Sequence, residues 1–127
     1  MYTAYVLTDH TRAQLLKMFP PKYERNGFNN ATIAHHVTEE FGVPADTELP
    51  EPVCVEIIGH LDTEDGLEVL VVTVNGEYFR KDNNLYHITW SLDPEKYKPV
   101  DSNKALQETK WARAAVVNLA TVPCMLW

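Results

Sequence analysis

The feature that most constrains the fold is a pair of β-prone runs joined by a short acidic turn. Residues 53–58 and 67–74 are rich in valine, isoleucine and leucine, and residues 62–66 between them are acidic and end in a glycine. Asn75-Gly76 follows the second run, and both residues tolerate the positive φ angles of a type I′ turn. This part of the chain is therefore predicted to form antiparallel hairpins, in contrast to alternating strands and helices.

The remaining strand signals complete an α+β pattern. Further strands are predicted over residues 2–7, 32–41, 77–80, 85–92 and 114–122. With two short helices, the pattern predicts a single compact domain over residues 1–127, with about seven strands in antiparallel sheets. Two lobes, each with one copy of the motif described below, are compatible with the spacing.

The first helix is predicted over residues 10–19, where Thr8-Asp9 offers capping oxygens. Its buried stripe is predicted to consist of Leu15, Met18 and Phe19. A second helix is predicted over residues 103–108, with Ser102 as its cap. Residues 22–30, which follow two prolines, are predicted to form an exposed polar loop.

Charge and hydropathy exclude several function classes. The chain of 127 residues has a formal net charge of −7, which disfavours binding to duplex nucleic acid because such binding needs many basic side chains. A small nucleotide remains compatible, since one or two phosphates need only a few local donors. No apolar run approaches the roughly 20 residues of a membrane span, and the first residues lack a secretory-signal pattern. A soluble, cytoplasmic protein is therefore expected.

A short pattern occurs twice, as His36-Val37-Thr38 and His87-Ile88-Thr89. Residues two apart in a strand point to the same face, so each copy presents an imidazole beside a hydroxyl. If the two strands lie close together, one pocket receives a general base, a general acid and two donors for phosphoryl oxygens. The pattern predicts a phosphoesterase whose catalytic residues are His36, Thr38, His87 and Thr89.

The other histidines have simpler interpretations. His35 is predicted to face away from His36, and His10 and His60 are expected to be structural. A zinc site built from His35, His36 and His60 is a competing use of these side chains, but their spacing does not match a zinc motif. No metal and no cofactor are predicted.

The two motifs resemble the defining pattern of the two-histidine (2H) phosphoesterase superfamily, which is histidine, a hydrophobic residue, then threonine or serine, occurring twice. That superfamily includes LigT-like RNA phosphodiesterases, RNA-repair enzymes and small phage enzymes that degrade host cyclic-nucleotide signals. The resemblance implies a metal-independent phosphodiesterase that cleaves small or cyclic nucleotides, acting in the host cytoplasm if the chain is viral. The chain departs from the pattern at Glu39, where the family usually has an apolar residue.

Three alternatives stay open at this point. One is RNA-end processing at a 2′,3′-cyclic phosphate, and another is a protein that sequesters a nucleotide without cleaving it, for which Glu39 is the one hint. The third is a structural or interaction domain in which the histidines are incidental. The sequence also leaves open which histidine acts as the base and which as the acid.

Substrate contacts are predicted in the loops that flank the motifs. Lys22 with Tyr23, and Tyr97 with Lys98, each pair a cation with an aromatic ring that can hold a phosphate and stack a base. Ser102 begins the second predicted helix, whose N-terminal amides would attract an anion.

Overall fold

The structure is a computed structural model that describes residues 1–23 and 32–127. The elements in these residues are, in chain order, β1 (Tyr2–Leu7), α1 (Asp9–Met18), β2 (His36–Phe41), β3 (Val55–Asp62), β4 (Leu67–Val74), β5 (His87–Leu92), α2 (Asp101–Glu108), β6 (Ala112–Leu119) and β7 (Thr121–Leu126). Most of the polar loop predicted at 22–30 lies outside the described residues. Neither described helix has the length and apolar character needed to cross a membrane.

The strands form two antiparallel sheets, which confirms the predicted α+β class and its two lobes. The first sheet has the order β2-β1-β7, and the second has the order β5-β4-β3-β6. The motif strands β2 and β5 each lie at an end of their sheet. One His-x-Thr strand therefore belongs to each lobe, as the sequence predicted.

The second sheet is covered on both faces. One face packs with the first sheet and α1 in a shared core that contains Leu15, Val37, Ile57 and Trp90. The other face packs against α2 through Leu106. Because both faces are covered, all eight residues of β4 are buried, which explains why six of the eight are apolar instead of alternating with polar residues.

The predicted Asn75-Gly76 turn is confirmed, but the strands predicted at 77–80 and 114–122 differ from the structure. The Asn75-Gly76 turn has the positive φ angles expected of it, 49° and 80°. Residues 77–80 were predicted to form a strand but make only isolated bridges, because the chain turns back at once, with the amide of Arg80 donating to the carbonyl of Asn84. The predicted strand at 114–122 is two strands, β6 and β7, which pair with different sheets on either side of Ala120.

The helices also differ in detail from the predictions. The Thr8 side chain caps α1 as expected, accepting a hydrogen bond from the amide of Thr11. Leu15 is buried and Phe19 packs on the core, but Met18 is 54% exposed, so the predicted stripe is wrong at that position. The second helix begins at Asp101, before the predicted start at residue 103, so Ser102 lies inside the helix and does not cap it. Ser102 is also fully buried.

Candidate active site

A pocket with a volume of about 210 Å³ lies between the two motif strands. All four side chains predicted to be catalytic line it: His36 and Thr38 from β2, and His87 and Thr89 from β5. The rest of its wall consists of Tyr2, Ile33, Phe41, Arg80, Pro99, Val100 and Asn103. The structure therefore brings together the two motifs that the sequence predicted to converge.

The path of residues 32–36 explains why the motif strands meet. The amides of Ile33 and Ala34 donate to the carbonyls of Trp90 and Thr89, at 2.9 and 3.0 Å, so this segment runs along β5. Ala34 then has a φ of 42°, in the left-handed region that non-glycine residues rarely adopt. The chain turns there and enters the first sheet at His36. The strand predicted over 32–41 is thus divided between the two sheets.

A backbone carbonyl determines which ring nitrogen of His87 carries the proton. Its Nδ1 lies 2.7 Å from the carbonyl oxygen of Leu85. Since a carbonyl only accepts, Nδ1 carries the proton of the neutral ring, and Nε2 keeps its lone pair. Burial lowers the pKa of His87 to about 4; the charge of Arg80 adds to this effect, while the Leu85 carbonyl and Asp82 oppose it.

His36 has a different kind of partner. Its Nδ1 lies 3.0 Å from Nδ1 of His35, and the two rings are nearly perpendicular, at 82°. Burial, together with the neighbouring imidazoles of His35 and His87, lowers the pKa of His36 to about 4. His35 is exposed and does not line the pocket, but its contact with His36 was not predicted, because the turn at Ala34 interrupts the alternation of a regular strand.

The hydroxyl of Thr89 contacts Ser102 of α2 and the carbonyl of Pro99. Thr89 Oγ1 lies 2.8 Å from Oγ of Ser102 and 3.2 Å from the carbonyl oxygen of Pro99. If the Ser102 hydroxyl donates to Thr89, the proton of Thr89 is free to turn from Pro99 to a ligand in the pocket. Ser102 was predicted to contact substrate, but it is fully buried behind Thr89 and does not line the pocket.

None of the wall residues outside the two motifs was predicted from the sequence, and Arg80 is the charged one among them. It is only 4% exposed, and its guanidinium donates to the carboxylate of Asp82, at 2.8 and 3.1 Å, and to the amide oxygen of Asn103, at 3.1 Å. The same group lies 5.3 Å from the centre of the Phe41 ring. In the sequence, Arg80 stands in a charged turn typical of solvated residues, so only its burial reveals its position in the wall.

The remaining wall is largely apolar and aromatic. The ring of Tyr2 lies 5.5 Å from that of His36 and 5.3 Å from that of Phe41. Phe41 and Val100 are both more than half exposed, although they line the pocket. These side chains provide apolar and aromatic contacts for a planar ring next to the imidazoles.

Lys22 and Tyr23 lie elsewhere, although the sequence predicted that they contact substrate. Both side chains bond to the carboxylate of Asp62 at the end of β3, and neither lines the pocket. The backbone amides of the pair also bond within the second lobe, to Glu68 and to Ser91. The acidic residues of β3 and β4 thus hold the predicted cation and aromatic ring away from the histidines.

Tyr97 and Lys98 are likewise outside the pocket. The Tyr97 hydroxyl donates to Asp65, at 2.7 Å, in the turn between β3 and β4. The amide of Lys98 donates to Asp101, at 2.7 Å, at the start of α2. Their neighbours Pro99 and Val100 line the pocket instead. The structure therefore brings none of the five predicted substrate-binding residues into its wall.

Glu39 joins the two lobes. It lies at an irregularity in the pairing of β1 with β2, where the register shifts between Thr3 and Ala4. Its carboxylate accepts hydrogen bonds from the hydroxyls of Tyr5, at 3.1 Å, and Tyr86, at 2.7 Å. Burial, together with the adjacent carboxylate, raises the pKa of both tyrosines. Glu39 does not line the pocket, so its bonds give it a structural position between the sheets.

His60 does not join the other histidines. Its Nε2 lies 2.7 Å from the carboxylate of Glu68, and its ring stacks on Phe19. No three histidine, cysteine or acidic side chains come together as metal ligands in residues 1–23 and 32–127. The competing zinc set of His35, His36 and His60 is thus not assembled.

Ser91 and Glu68 form a hydrogen bond of 2.7 Å beside His60, and this cluster contains the three residue types of a hydrolytic triad. The hydrogen bonds are not those of a catalytic triad, because the carboxylate of Glu68 lies between the serine and the histidine. A nucleophilic serine must bond directly to its base. These residues therefore form a structural network.

Comparisons of the chain with models of protein families, with curated proteins and with solved structures give no match.

Proposed function

We propose that the protein is a metal-independent phosphodiesterase that cleaves small or cyclic nucleotides with its two His-x-Thr motifs. The observation that carries this proposal is the convergence of two imidazoles and two threonine hydroxyls on one pocket between the lobes. The motifs come from opposite sheets, so a single phosphodiester between them would be reached from both sides.

The two histidines supply acid–base catalysis. Burial lowers both pKa values to about 4, so both rings are neutral at pH 7 and one can take a proton from an attacking hydroxyl. The attacking group is either a neighbouring ribose hydroxyl or water. The other imidazole gives a proton to the leaving oxygen. Each transfer contributes about 10²- to 10⁴-fold in rate.

Hydroxyl and guanidinium donors stabilise the negative charge on the phosphoryl group. Thr38 and Thr89 flank the histidines, and Arg80 brings a buried positive charge to the same wall. Donors that are held in place before the reaction are effective because they do not reorganise as charge develops. Arg80 is already fixed by Asp82 and Asn103, so binding an anion requires little further ordering.

The shape of the pocket favours a small substrate. A cavity of about 210 Å³ with the rings of Tyr2 and Phe41 in its wall suits a phosphate, its sugar and a stacked base. The net charge of −7 disfavours an extended nucleic acid. A cyclic signalling nucleotide, degraded in the cytoplasm, fits these features best.

RNA-end processing at a 2′,3′-cyclic phosphate uses the same four residues and remains the second candidate, supported by the exposed side of the pocket at Phe41 and Val100. The sequestering alternative loses its support, because the Glu39 carboxylate bonds to two tyrosines outside the pocket.

The test is incubation of the purified protein, with a chelator present, with cyclic mono-, di- and trinucleotides and with 2′,3′-cyclic phosphates. A His36→Ala/His87→Ala variant is tested in parallel, and His10→Ala serves as the control for loss of an exposed histidine. We expect turnover by the wild type and the control only. Turnover of the 3′,5′-linked cyclic nucleotides indicates the first candidate, and turnover of the 2′,3′-cyclic phosphates alone indicates the second. Stoichiometric binding of a nucleotide without turnover would contradict the enzyme proposal.

A further inference from the structure

We infer that His35 passes a proton from solvent to His36, which makes His36 the general acid and His87 the general base. This inference rests on the proposed function, which it deepens by giving each histidine one role. It also makes the exposed His35 a positioning residue that acts through His36.

The contact between the two adjacent histidines is the geometric basis. Nδ1 of His35 and Nδ1 of His36 lie 3.0 Å apart, so one of them carries the shared hydrogen and the other accepts it. When His35 donates, the Nδ1 lone pair of His36 is occupied, and neutral His36 carries its own proton on Nε2. In that form His36 is a hydrogen-bond donor toward a ligand.

His87 has the opposite polarity. The Leu85 carbonyl accepts from Nδ1 of His87, which leaves the lone pair of its Nε2 for the ligand. Neutral His87 is therefore ready to take a proton, whereas neutral His36 is ready to give one. The two motifs share a sequence pattern, but the partners of their Nδ1 atoms assign them different roles.

The transfer of a proton from solvent through His35 to His36, called the relay below, avoids an imidazolate at His36. Burial lowers the pKa of His36 to about 4, so the ring is neutral at pH 7 and would become an imidazolate if it simply lost its Nε2 proton. A proton that arrives at Nδ1 as the other leaves keeps the ring neutral throughout. His35 is exposed, so it exchanges protons with solvent directly.

The surrounding charges favour this arrangement. The charged and titratable groups around the pair come from four other segments: Tyr2 of β1, Arg12 of α1, Arg80 and Asp82 of the connection before β5, and His87 of β5. The guanidinium of Arg12 donates to the carbonyl of Ala34, at 2.8 Å, immediately before His35. Burial and the neighbouring imidazoles of His35 and His87 disfavour a lasting charge on His36 within the pocket.

The protons and electrons balance in a single step. The nucleophile gives its proton to Nε2 of His87 and forms a bond to phosphorus. The bond from phosphorus to the leaving oxygen breaks, and that oxygen keeps the electron pair and takes the Nε2 proton of His36. Nδ1 of His36 takes the Nδ1 proton of His35, while Nε2 of His35, which is exposed, takes a proton from solvent. His87 ends as the imidazolium and returns its proton to solvent.

The first arm of the test compares leaving groups. His35→Ala and the control His10→Ala are assayed on a nucleoside phosphodiester with an alkoxide leaving group and on its 4-nitrophenyl ester, whose leaving group needs no proton. For His35→Ala we expect kcat on the alkoxide substrate to fall by about 10²-fold with KM unchanged, and near wild-type rates on the 4-nitrophenyl ester. Equal losses on both substrates, or no loss, would overturn the relay. A wild type that cleaves neither substrate contradicts the proposed function, and the relay with it.

The second arm needs neither a variant nor turnover. Nitrogen-15 NMR spectra of the wild-type protein at pH 7 report which ring nitrogen of each histidine carries the proton. We expect the proton on Nε2 of His36 and on Nδ1 of His87. The same tautomer on both rings would overturn the inference.

Discussion

The two His-x-Thr strands have nearly the same sequence pattern but different surroundings. All six residues of β5 are buried, and a backbone carbonyl and a serine hydroxyl orient its histidine and threonine. In β2 the histidine and both glutamates are only partly buried, Phe41 is exposed, and the partner of His36 is another imidazole that faces solvent. A repeated motif thus defines which groups meet, while the partners of each copy determine what those groups do.

The largest expected effect follows from removing either imidazole. His36→Ala and His87→Ala should each lower kcat by about 10²- to 10⁴-fold, because each removes one proton transfer. Steady-state kinetics on the substrate found in the panel measures this, with circular dichroism to check the fold. Wild-type activity in either variant would contradict the proposal that both motif histidines take part in catalysis.

Removing a buried histidine should also change how stability depends on pH. The folded pKa of His36 and His87 is about 4, below the unfolded value of about 6.5, so the unfolded chain binds more protons between these values. Stability is therefore complete above pH 6.5 and is lost as the pH falls toward 4. At pH 5 the loss is about 2 kcal/mol for buried His87 and smaller for His36, which is more exposed.

Urea unfolding at pH 7.5 and pH 5 tests this difference between the strands. His87→Gln should reduce the acid-induced loss more than His36→Gln does, and His10→Gln should leave it unchanged. The opposite ranking of the two pocket variants would contradict the assignment of β5 as the more buried strand.

A moderate effect is expected at Ser102. Ser102→Ala removes a buried hydrogen bond to Thr89 and should cost about 1–3 kcal/mol of stability, with a loss of kcat of about tenfold. If Ser102 acts through Thr89, the substitution should cause no further loss of kcat in a Thr89→Val background. Full additivity of the two losses would show that Ser102 affects activity by another route.

The smallest effect is expected for substitution of Glu39, whose carboxylate bonds to a tyrosine in each lobe. Glu39→Gln keeps one acceptor oxygen for the hydroxyls of Tyr5 and Tyr86, so the free energy of unfolding should fall by only about 1 kcal/mol. Thermal denaturation and kcat are measured together. A large loss of kcat with unchanged stability would contradict the structural position given to Glu39.

The sequence predicted the parts of the fold that depend on local physics. The Asn75-Gly76 turn, the buried strand β4 and the Thr8 cap all follow from backbone preference or apolar patterning. The segments 32–41 and 114–122 were predicted as single strands because β-propensity indicates extended chain and not the sheet with which it pairs. Their division between sheets depends on long-range packing.

The sequence predicted the four motif residues that line the pocket but not the rest of its wall. The period of two in a strand was enough to find His36 and His87, but not the contact of His35, which needs the left-handed turn at Ala34. Arg80 could not be found, because burial of a charged side chain depends on distant partners such as Asn103. The predicted substrate contacts Lys22, Tyr23 and Tyr97 do not line the pocket, since acidic side chains elsewhere bind them.

The central claim is that both imidazoles act on one phosphodiester, and a double-mutant cycle tests it most directly. We would measure kcat/KM with a chelator present for the wild type, His36→Ala, His87→Ala and the double variant. Groups that act as one unit show strongly non-additive losses, so the double variant should be little slower than the slower single variant. Losses that multiply in the double variant would contradict the shared site.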